Sequence, residues 1–461
     1  MPELIVISIY FLVMIVIGVM SRREARGADD FLVAGRKSSS LFVTGSLLAT
    51  IIGGSATIGM AGLGFTRGLT GAWWLLVGSI GLVILGIFFA KRVRQFALYT
   101  LPGLVEKQYD RRVALAASVL IVIAWVGIVA AQIIAAGKIL SVIGIGNAPL
   151  WMALFTVVFV AYTVLGGQYA IIRTDTLQAA IIFIGILVGL ALLMVNLGGW
   201  SGLTSGLPAE QFAFPLSPQF GGVELVTLLL LVGLTYVVGP DMYSRLFCAK
   251  DAKTAKVSVF WTAALIVPLA FAITLIGMGA AVLFPQISPE QAFPAVIKEV
   301  LPPFVDSIVL AALLCAVMSS VDTILLSASA ILVVDIVGWF KPALSQRRIV
   351  FLSRWSVVIL GICALTIALV LKGVISALLF AYTVYTAGVI LPVIAGFYKD
   401  KLRVTSMGAM AALVGGGAVG LVSKIFDIMY LDLGALLVSG LLLFAVSFFD
   451  SKRQKRKKLP G

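Results

Sequence analysis

Among its 461 residues the chain has no histidine. That one absence removes imidazole proton relays, histidine-ligated haem, most zinc sites and Ser-His-Asp chemistry. Cysteine is nearly absent too: Cys248, Cys315 and Cys363 lie far apart in or beside apolar runs, with neither a disulfide framework nor metal-ligand spacing, and read as packed small residues. No GxxxxGK[ST] loop is present, so nothing supports ATP-driven work. Charge is scarce, with only 12% Asp, Glu, Lys and Arg against 61% hydrophobic residues. Such a composition over this length is that of a polytopic membrane protein. The apolar runs are helix-length rather than the short alternating strands of a membrane barrel.

About thirteen spans of roughly 20 residues, the length a bilayer requires, can be laid along the chain. A leading helix covers 3–21. Ten central spans follow at 41–64, 70–94, 112–142, 148–167, 171–196, 222–249, 252–284, 303–339, 349–371 and 373–397, and two trailing helices at 402–424 and 429–450. The longest polar gap, 197–221, is too short to fold alone, so the chain reads as a single transmembrane domain with a basic tail at 451–461. Arg22, Arg23 and Arg26 follow the first apolar run, which places the N-terminus outside by the positive-inside rule. Alternation then puts Lys91–Arg94, Arg245–Lys256, Lys341–Arg348, Lys399–Arg403 and the tail KRQKRKK on the cytoplasmic side. The formal net charge of +14 is thereby accounted for by loops at an anionic lipid leaflet, not by nucleic acid. Trp73 and Trp74, opening a span, read as an aromatic belt.

Two spans carry interruptions. ATIIGGSATIGM at 49–60 places Gly53 and Gly54 side by side in the first central span, and TYVVGPDMYS at 235–244 places Gly239 and Pro240 beside Asp241 in the sixth. Freed backbone in lipid costs several kcal/mol per group, roughly, so a break survives only where protein or a watery cavity takes it up. The ten central spans divide into five and five; because five is odd, the two sets cross the membrane in opposite senses. Interruptions at matching places in inverted halves point to a transporter's site near the midplane.

The eighth central span, CAVMSSVDTILLSAS at 315–329, puts Ala316, Ser319, Ser320, Thr323 and Ser327 on one helical face. Ser327 and Ser329 suit interhelical hydrogen bonding. Ser319 and Ser320 opposite a broken helix offer, with carbonyls freed near Ala49 and Ile52, about five hard oxygens and no carboxylate, a set that suits a monovalent cation such as sodium.

These stretches resemble the sodium/solute symporter family. FLVAGR at 31–36 precedes the first break as in that family, LLATIIGGSATIGM (47–60) and AVMSSVDTILLSAS (316–329) are similar to its first and eighth core helices, and TDTLQ (174–178) to its fifth. The resemblance, over about residues 3–450, implies an all-α membrane protein of the leucine-transporter fold. It would have an inverted repeat at 41–196 and 222–397, and sodium-coupled import by alternating access. It also implies a sodium site from the carbonyls of Ala49, Ile52 and Ala316 and the hydroxyls of Ser319 and Ser320. A second sodium would be held by Asp175, Ser319 and Thr323, with Asp322 nearby. The runs IIGGSAT and AVMSSVD are similar to the choline branch. Ile51 stands where that branch has an aromatic, and choline needs an aromatic cage, so choline is not supported.

Asp175 reads two ways, as an ion ligand or as a partner of Arg173 and cap of its helix. For the solute, the candidates are Ser55, Thr57, Trp125, Gln132, Tyr236, Asp241 and Tyr243, with Tyr382 and Tyr385 as a gate. Asp241 either faces a solute amine or pairs with Arg245 one turn on, the two readings weighing about equally. The alternatives to sodium symport are proton coupling through Asp175 or Asp322, and a non-transporting solute sensor. An enzyme is disfavoured, lacking histidine and clustered carboxylates.

Overall fold

Backbone groups facing hydrocarbon must be satisfied within their own segment, which leaves helix as the form these apolar runs can take. The computed structural model describes residues 2–21, 27–141, 146–371, 373–426, 428 and 431–458, and no strand occurs among them. Arg22, Arg23 and Arg26, on which the N-terminal orientation was argued, lie outside the described residues.

The leading helix α1 is Pro2–Ser21. The first central span is two pieces, α2 (Ser40–Ile51) and α3 (Met60–Arg67), joined by a widened turn at Ser55–Gly59. Next come α4 (beginning at Trp73–Ile84 and running on to Phe96) and α5 (Arg111–Ser141). The second interrupted span is α8, beginning at Gly222–Leu228 and ending at Leu234–Val237, followed by α9 (Pro240–Cys248). Then follow α10 (Ala252–Leu283), α11 (Val305–Ala330), α12 (Gln346–Val370), α13 (beginning at Val374–Tyr385), α14 (Ser406–Ile425) and α15 (Leu431–Lys458). Helices α6 and α7 are the two halves of Ala148–Asn196.

Eleven continuous helical stretches are long and apolar enough to cross a bilayer among the described residues. Two of them hold parts of two crossings each, Ala148–Asn196 both of its pair and Ser55–Phe96 the second half of the first central span, begun at Ser40–Ile51, together with the next span, which gives thirteen. The 49 residues of Ala148–Asn196 would run about 74 Å at 1.5 Å per residue, far beyond a core of about 30 Å. The stretch breaks at Gly167, whose φ of 55° and ψ of −155° only glycine adopts readily. The Tyr162 and Thr174 hydroxyls, twelve residues apart, hydrogen-bond across the fold-back. Ser55–Phe96 likewise turns at Gly68 (φ 65°), where α3 meets the following turn so closely that a Cβ on Gly71 would lie 2.7 Å from the Gly64 nitrogen.

The two interrupted spans run antiparallel. The chain entering α2 pairs with the chain leaving α9, the Ser38 amide donating to the Cys248 carbonyl at 3.0 Å and Lys250 to Ser38 at 2.9 Å. Basic loops gather at this same end: Arg94 donates to the Ala249 and Lys250 carbonyls, Arg111 to Gly338 and Trp339, and Lys399 to Gln108. At the opposite end Trp73 donates to the Pro215 carbonyl at 2.8 Å and stacks on Phe214. Trp74 departs from the belt expectation, being 3% exposed and packed inside. Of the spans, α11 is the most enclosed by protein, and it is the helix that carries the paired serines.

Candidate functional site

The double glycine is a matter of room more than of unusual dihedrals. Gly54 has helical φ and ψ of −59° and −34°. A Cβ on Gly53 would lie 2.5 Å from Ser320 Oγ, and one on Gly54 would lie 2.2 Å from the Ala135 Cβ. Side chains there would push α5 and α11 off the break.

Helix α2 stops at Ile52, with φ −82° and ψ 70°. Past that point the amides leave their helical register. Gly53 N donates to Ile51 O at 3.0 Å, and Gly54 N to Gln132 Oε1 of α5 at 2.7 Å. The Ala49 and Thr50 carbonyls, which those two amides would serve in a continuous helix, are thereby released. Two serines from α11 come to meet them: Ser319 Oγ lies 2.9 Å from Ala49 O and Ser320 Oγ 2.7 Å from Thr50 O. Ser319 is also 2.8 Å from Cys315 O and 3.1 Å from Ala316 O, and Ser320 3.0 Å from Ala316 O. A hydroxyl has one hydrogen to give. Two hydroxyls set among four carbonyls leave a surplus of acceptor oxygens in a dry interior, the environment a small hard cation satisfies. Ala49, Ala316, Ser319 and Ser320 thus converge as the sequence implied, with the Thr50 carbonyl added to the set and Ile52 marking the turn that exposes it.

A second cluster lies toward the basic-loop end. The fully buried Arg245 of α9 donates Nε to Ser46 Oγ at 2.8 Å, Nη1 to Ser244 Oγ at 3.1 Å and to Gln168 Oε1 at 3.4 Å, and Nη2 to Asp175 Oδ2 at 3.1 Å. Nη2 also reaches the Thr50 hydroxyl at 3.4 Å and donates to that of Thr323. Ser46 completes a triangle by donating to Asp175 at 2.5 Å. Asp175 therefore does not take Arg173, whose guanidinium lies over the Tyr169 ring. Asp322 sits at the edge, accepting from Thr323 at 3.3 Å.

With Arg245 committed to Asp175, the pairing considered between Asp241 and Arg245 is not formed. Asp241 is half-buried in the first turn of α9 and lines a cavity between the two breaks, with Gly53, Ser55, Trp125, Gln132, Tyr236 and Tyr382 also in its wall. The cavity measures about 30 Å³, room for a water or two, so this conformation is closed around it. Two residues expected beside the solute, Thr57 and Tyr243, and one of the expected gate pair, Tyr385, lie outside the wall of this cavity. The Thr57 hydroxyl is turned onto Gly53 O at 2.9 Å, covering backbone that the break would otherwise leave bare. Tyr243 is fully buried with its ring edge-on to Phe247. Tyr385 spends its hydroxyl on the Val238 carbonyl, released by the second break, and packs edge-on to Trp125. Of the gate pair, Tyr382 alone reaches the cavity.

Sequence reasoning missed Ser46, Thr50 and Gln168 as partners of Arg245. The spacing of Ser46, Thr50 and Gly53 at four and three residues was the available signal, since it places them on one face of α2. It also missed the contact at the end opposite the basic loops, where Lys138 of α5 forms an ion pair with Glu290, which accepts from the Val374 amide at 3.1 Å. A lone lysine ending an apolar span was the clue there. Ser329 plays the interhelical role expected of it, donating to Ser353 O on α12 at 2.8 Å.

Two antiparallel broken helices, a cation-suited oxygen cluster between α2 and α11 and a closed polar cavity beside it define a secondary membrane transporter. The chain matches the Sodium:solute symporter family over residues 31–416 and belongs to it. It is a sodium-coupled symporter, not an enzyme. Relatives include the sodium/glucose cotransporter of Vibrio parahaemolyticus (26% identical, covering 89% of this chain and 83% of the relative) and the sodium/pantothenate symporter of Escherichia coli K12 (26%, 94% and 92%). The sodium/proline symporter of Haemophilus influenzae is also 26% identical, over 90% of this chain and 86% of the relative. Among solved structures, a substrate-bound, outward-open sodium-coupled sialic acid symporter superposes with a TM-score of 0.83 at 16% identity, over 97% of this chain and 98% of that one. MhsT in complex with L-phenylalanine gives 0.58 at 14%, over 90% and 98%. The fold is that of the leucine-transporter class, as the resemblance implied.

Proposed function

We propose that the protein imports a small amine-bearing organic solute, an amino acid or related zwitterion, together with sodium. One sodium ion sits between α2 and α11 on carbonyls drawn from Ala49, Thr50, Ile52 and Ala316 and on the hydroxyls of Ser319 and Ser320. The observation that carries this reading is the pairing of two carbonyls released by the break, Ala49 and Thr50, with two serines from another helix. When sodium enters, the serine hydrogens rotate away and lone pairs face the ion. Sodium then ties α2 to α11 and sets the wall of the solute cavity, so solute affinity rises with sodium through a shared conformation.

Asp241 is the counter-charge for the solute. It has no ion-pair partner among the described residues, and an unpaired carboxylate inside a membrane is costly enough to call for a cation. Tyr236, Tyr382 and Trp125 supply apolar surface around it, with Ser55 and Gln132 as polar contacts. The relatives' named solutes (glucose, pantothenate and proline) differ in charge, so the choice rests on this chain's own residues. The protein resides in the plasma membrane in contact with lipid, its N-terminus outside and its basic tail in the cytoplasm. On this orientation Lys138–Glu290 closes the outer side and Arg245–Asp175 the inner side.

The test is thermal stability of the purified protein in sodium against potassium at equal ionic strength, followed by a panel of amines, zwitterions and carboxylates with sodium present. Sodium-specific stabilisation that disappears in Ser319→Ala, with further stabilisation by zwitterions alone, supports the reading. Equal stability in the two salts, or a response only to carboxylates, rejects it.

A further inference from the structure

We propose that Arg245 is a built-in cation standing where a second ion would otherwise bind, so that the transporter carries one sodium per cycle. The inference rests on the sodium site proposed above and extends it to the ion count.

The argument begins from what the cluster would be without Arg245. Asp175 is fully buried, and Ser46, Thr50, Thr323 and Gln168 direct side-chain oxygens to the same volume. One carboxylate surrounded by hydroxyl and amide oxygens is by its chemistry a seat for a monovalent cation. The guanidinium fills it. Its Nη2 touches Asp175, Thr50 and Thr323, and its Nε and Nη1 reach Ser46, Ser244 and Gln168. Six side chains from four elements (α2, the α6–α7 hairpin, α9 and α11) thus surround one guanidinium that is 0% exposed. A sodium ion placed there would need to displace five N–H donors arranged in a fixed fork and to bear the repulsion of a positive charge a few ångströms away. Thr323 and Asp175, implied as ligands of a second sodium by family resemblance, are therefore occupied by the protein itself.

The same residue links the ion to the solute. Arg245 and Asp241 lie on the nine-residue helix α9, one facing the inner cluster and the other the cavity. Thr50 joins both sites, its carbonyl meeting Ser320 and its hydroxyl meeting Arg245. Arg245 thus ties α2 to α11 without any ion from solution, and it has to withdraw with α9 before the sodium seat opens inward.

The experiment counts sodium ions bound to the full-length protein, by equilibrium binding of radioactive sodium and by the Hill coefficient of sodium-dependent thermal stabilisation. The wild type is expected to bind one ion per chain with a Hill coefficient near 1. Arg245→Gln leaves Asp175 bare, and is expected to bind a second ion and to gain a Hill coefficient above 1. Arg245→Gln combined with Asp175→Asn, which removes both charges, is expected to return the count to one. Two ions on the wild type overturn the proposal whether or not any variant folds, as does a count of one in a folded Arg245→Gln. Ser319→Ala combined with Ser320→Ala separates this from the reading beneath it. Sodium binding that survives in that variant refutes the proposed α2–α11 site, whereas the Arg245 proposal stands or falls on the ion count.

Discussion

The two breaks look alike in the sequence and are used in opposite ways. At Gly53–Gly54 the chain presents backbone: freed carbonyls at Ala49 and Thr50, covered by serines of α11, with the freed Gly54 amide taken by Gln132. At Gly239–Pro240 the freed Val238 carbonyl is covered by Tyr385, and what the break exposes is the start of a new helix bearing two charges, Asp241 toward the cavity and Arg245 toward Asp175. Backbone oxygens suit a small ion that changes little between cycles, since side-chain identity then matters only in the covering residues. Side-chain charge suits an organic solute, whose recognition depends on shape and sign. The difference teaches that a break by itself announces a site, and the residues packed on it decide what the site holds.

Removing both hydroxyls from the first break is the strongest way to test this contrast. Ser319→Ala combined with Ser320→Ala deletes the two hydroxyls of the proposed ion site, each worth about 1.5–3 kcal/mol to a charged partner. Half-saturation by sodium should rise roughly 100-fold or more in uptake into proteoliposomes, while the protein remains folded. Next is Asp241→Asn at the second break. Losing the charged partner of a buried pair costs about 2 kcal/mol or more, so affinity for an amine-bearing solute should fall roughly 30-fold, with sodium-dependent stabilisation kept. If both affinities fall together, the division of labour between the breaks is wrong.

Smaller effects sharpen the packing side of the comparison. Gly54→Ala would set a Cβ 2.2 Å from that of Ala135, and overpacking of this kind costs about 1–3 kcal/mol, visible as a lowered melting temperature. Gln132→Leu strands the Gly54 amide, again at about 1–3 kcal/mol, and should weaken sodium and solute binding alike because Gln132 serves both the break and the cavity wall. Thr57→Val should have the least effect, on the order of 1 kcal/mol in stability, with solute affinity unchanged; a solute-specific loss would return Thr57 to the cavity.

Much of the site was legible before any coordinates. The paired serines, the double glycine and the Gly-Pro-Asp run are local features whose meaning follows from helix periodicity and from the expense of bare backbone in lipid. Thr57, Tyr243 and Tyr385 lie off the cavity wall for one shared reason: each is within a turn of a break or of that wall, and a rotation of about 100° per residue turns a neighbour of the site into a cover for the backbone or a packed ring. Trp74 was read as belt for want of knowing which side of its helix met protein.

The sequence by itself determined that the chain crosses a membrane repeatedly as helices, that two of those helices are interrupted in halves of opposite sense, and that hydroxyls on α11 face one interruption. These follow from hydrophobic run length, charge placement and spacing, which are properties of neighbours along the chain. Only the tertiary structure decided which carboxylate takes Arg245. Asp241 is four residues away and Asp175 seventy, yet the guanidinium goes to Asp175. The physical reason is that Asp175 lies in a fully enclosed cluster with Ser46, Thr50, Thr323 and Gln168, where a buried charge needs a partner, whereas Asp241 is half-buried at the wall of a small polar cavity.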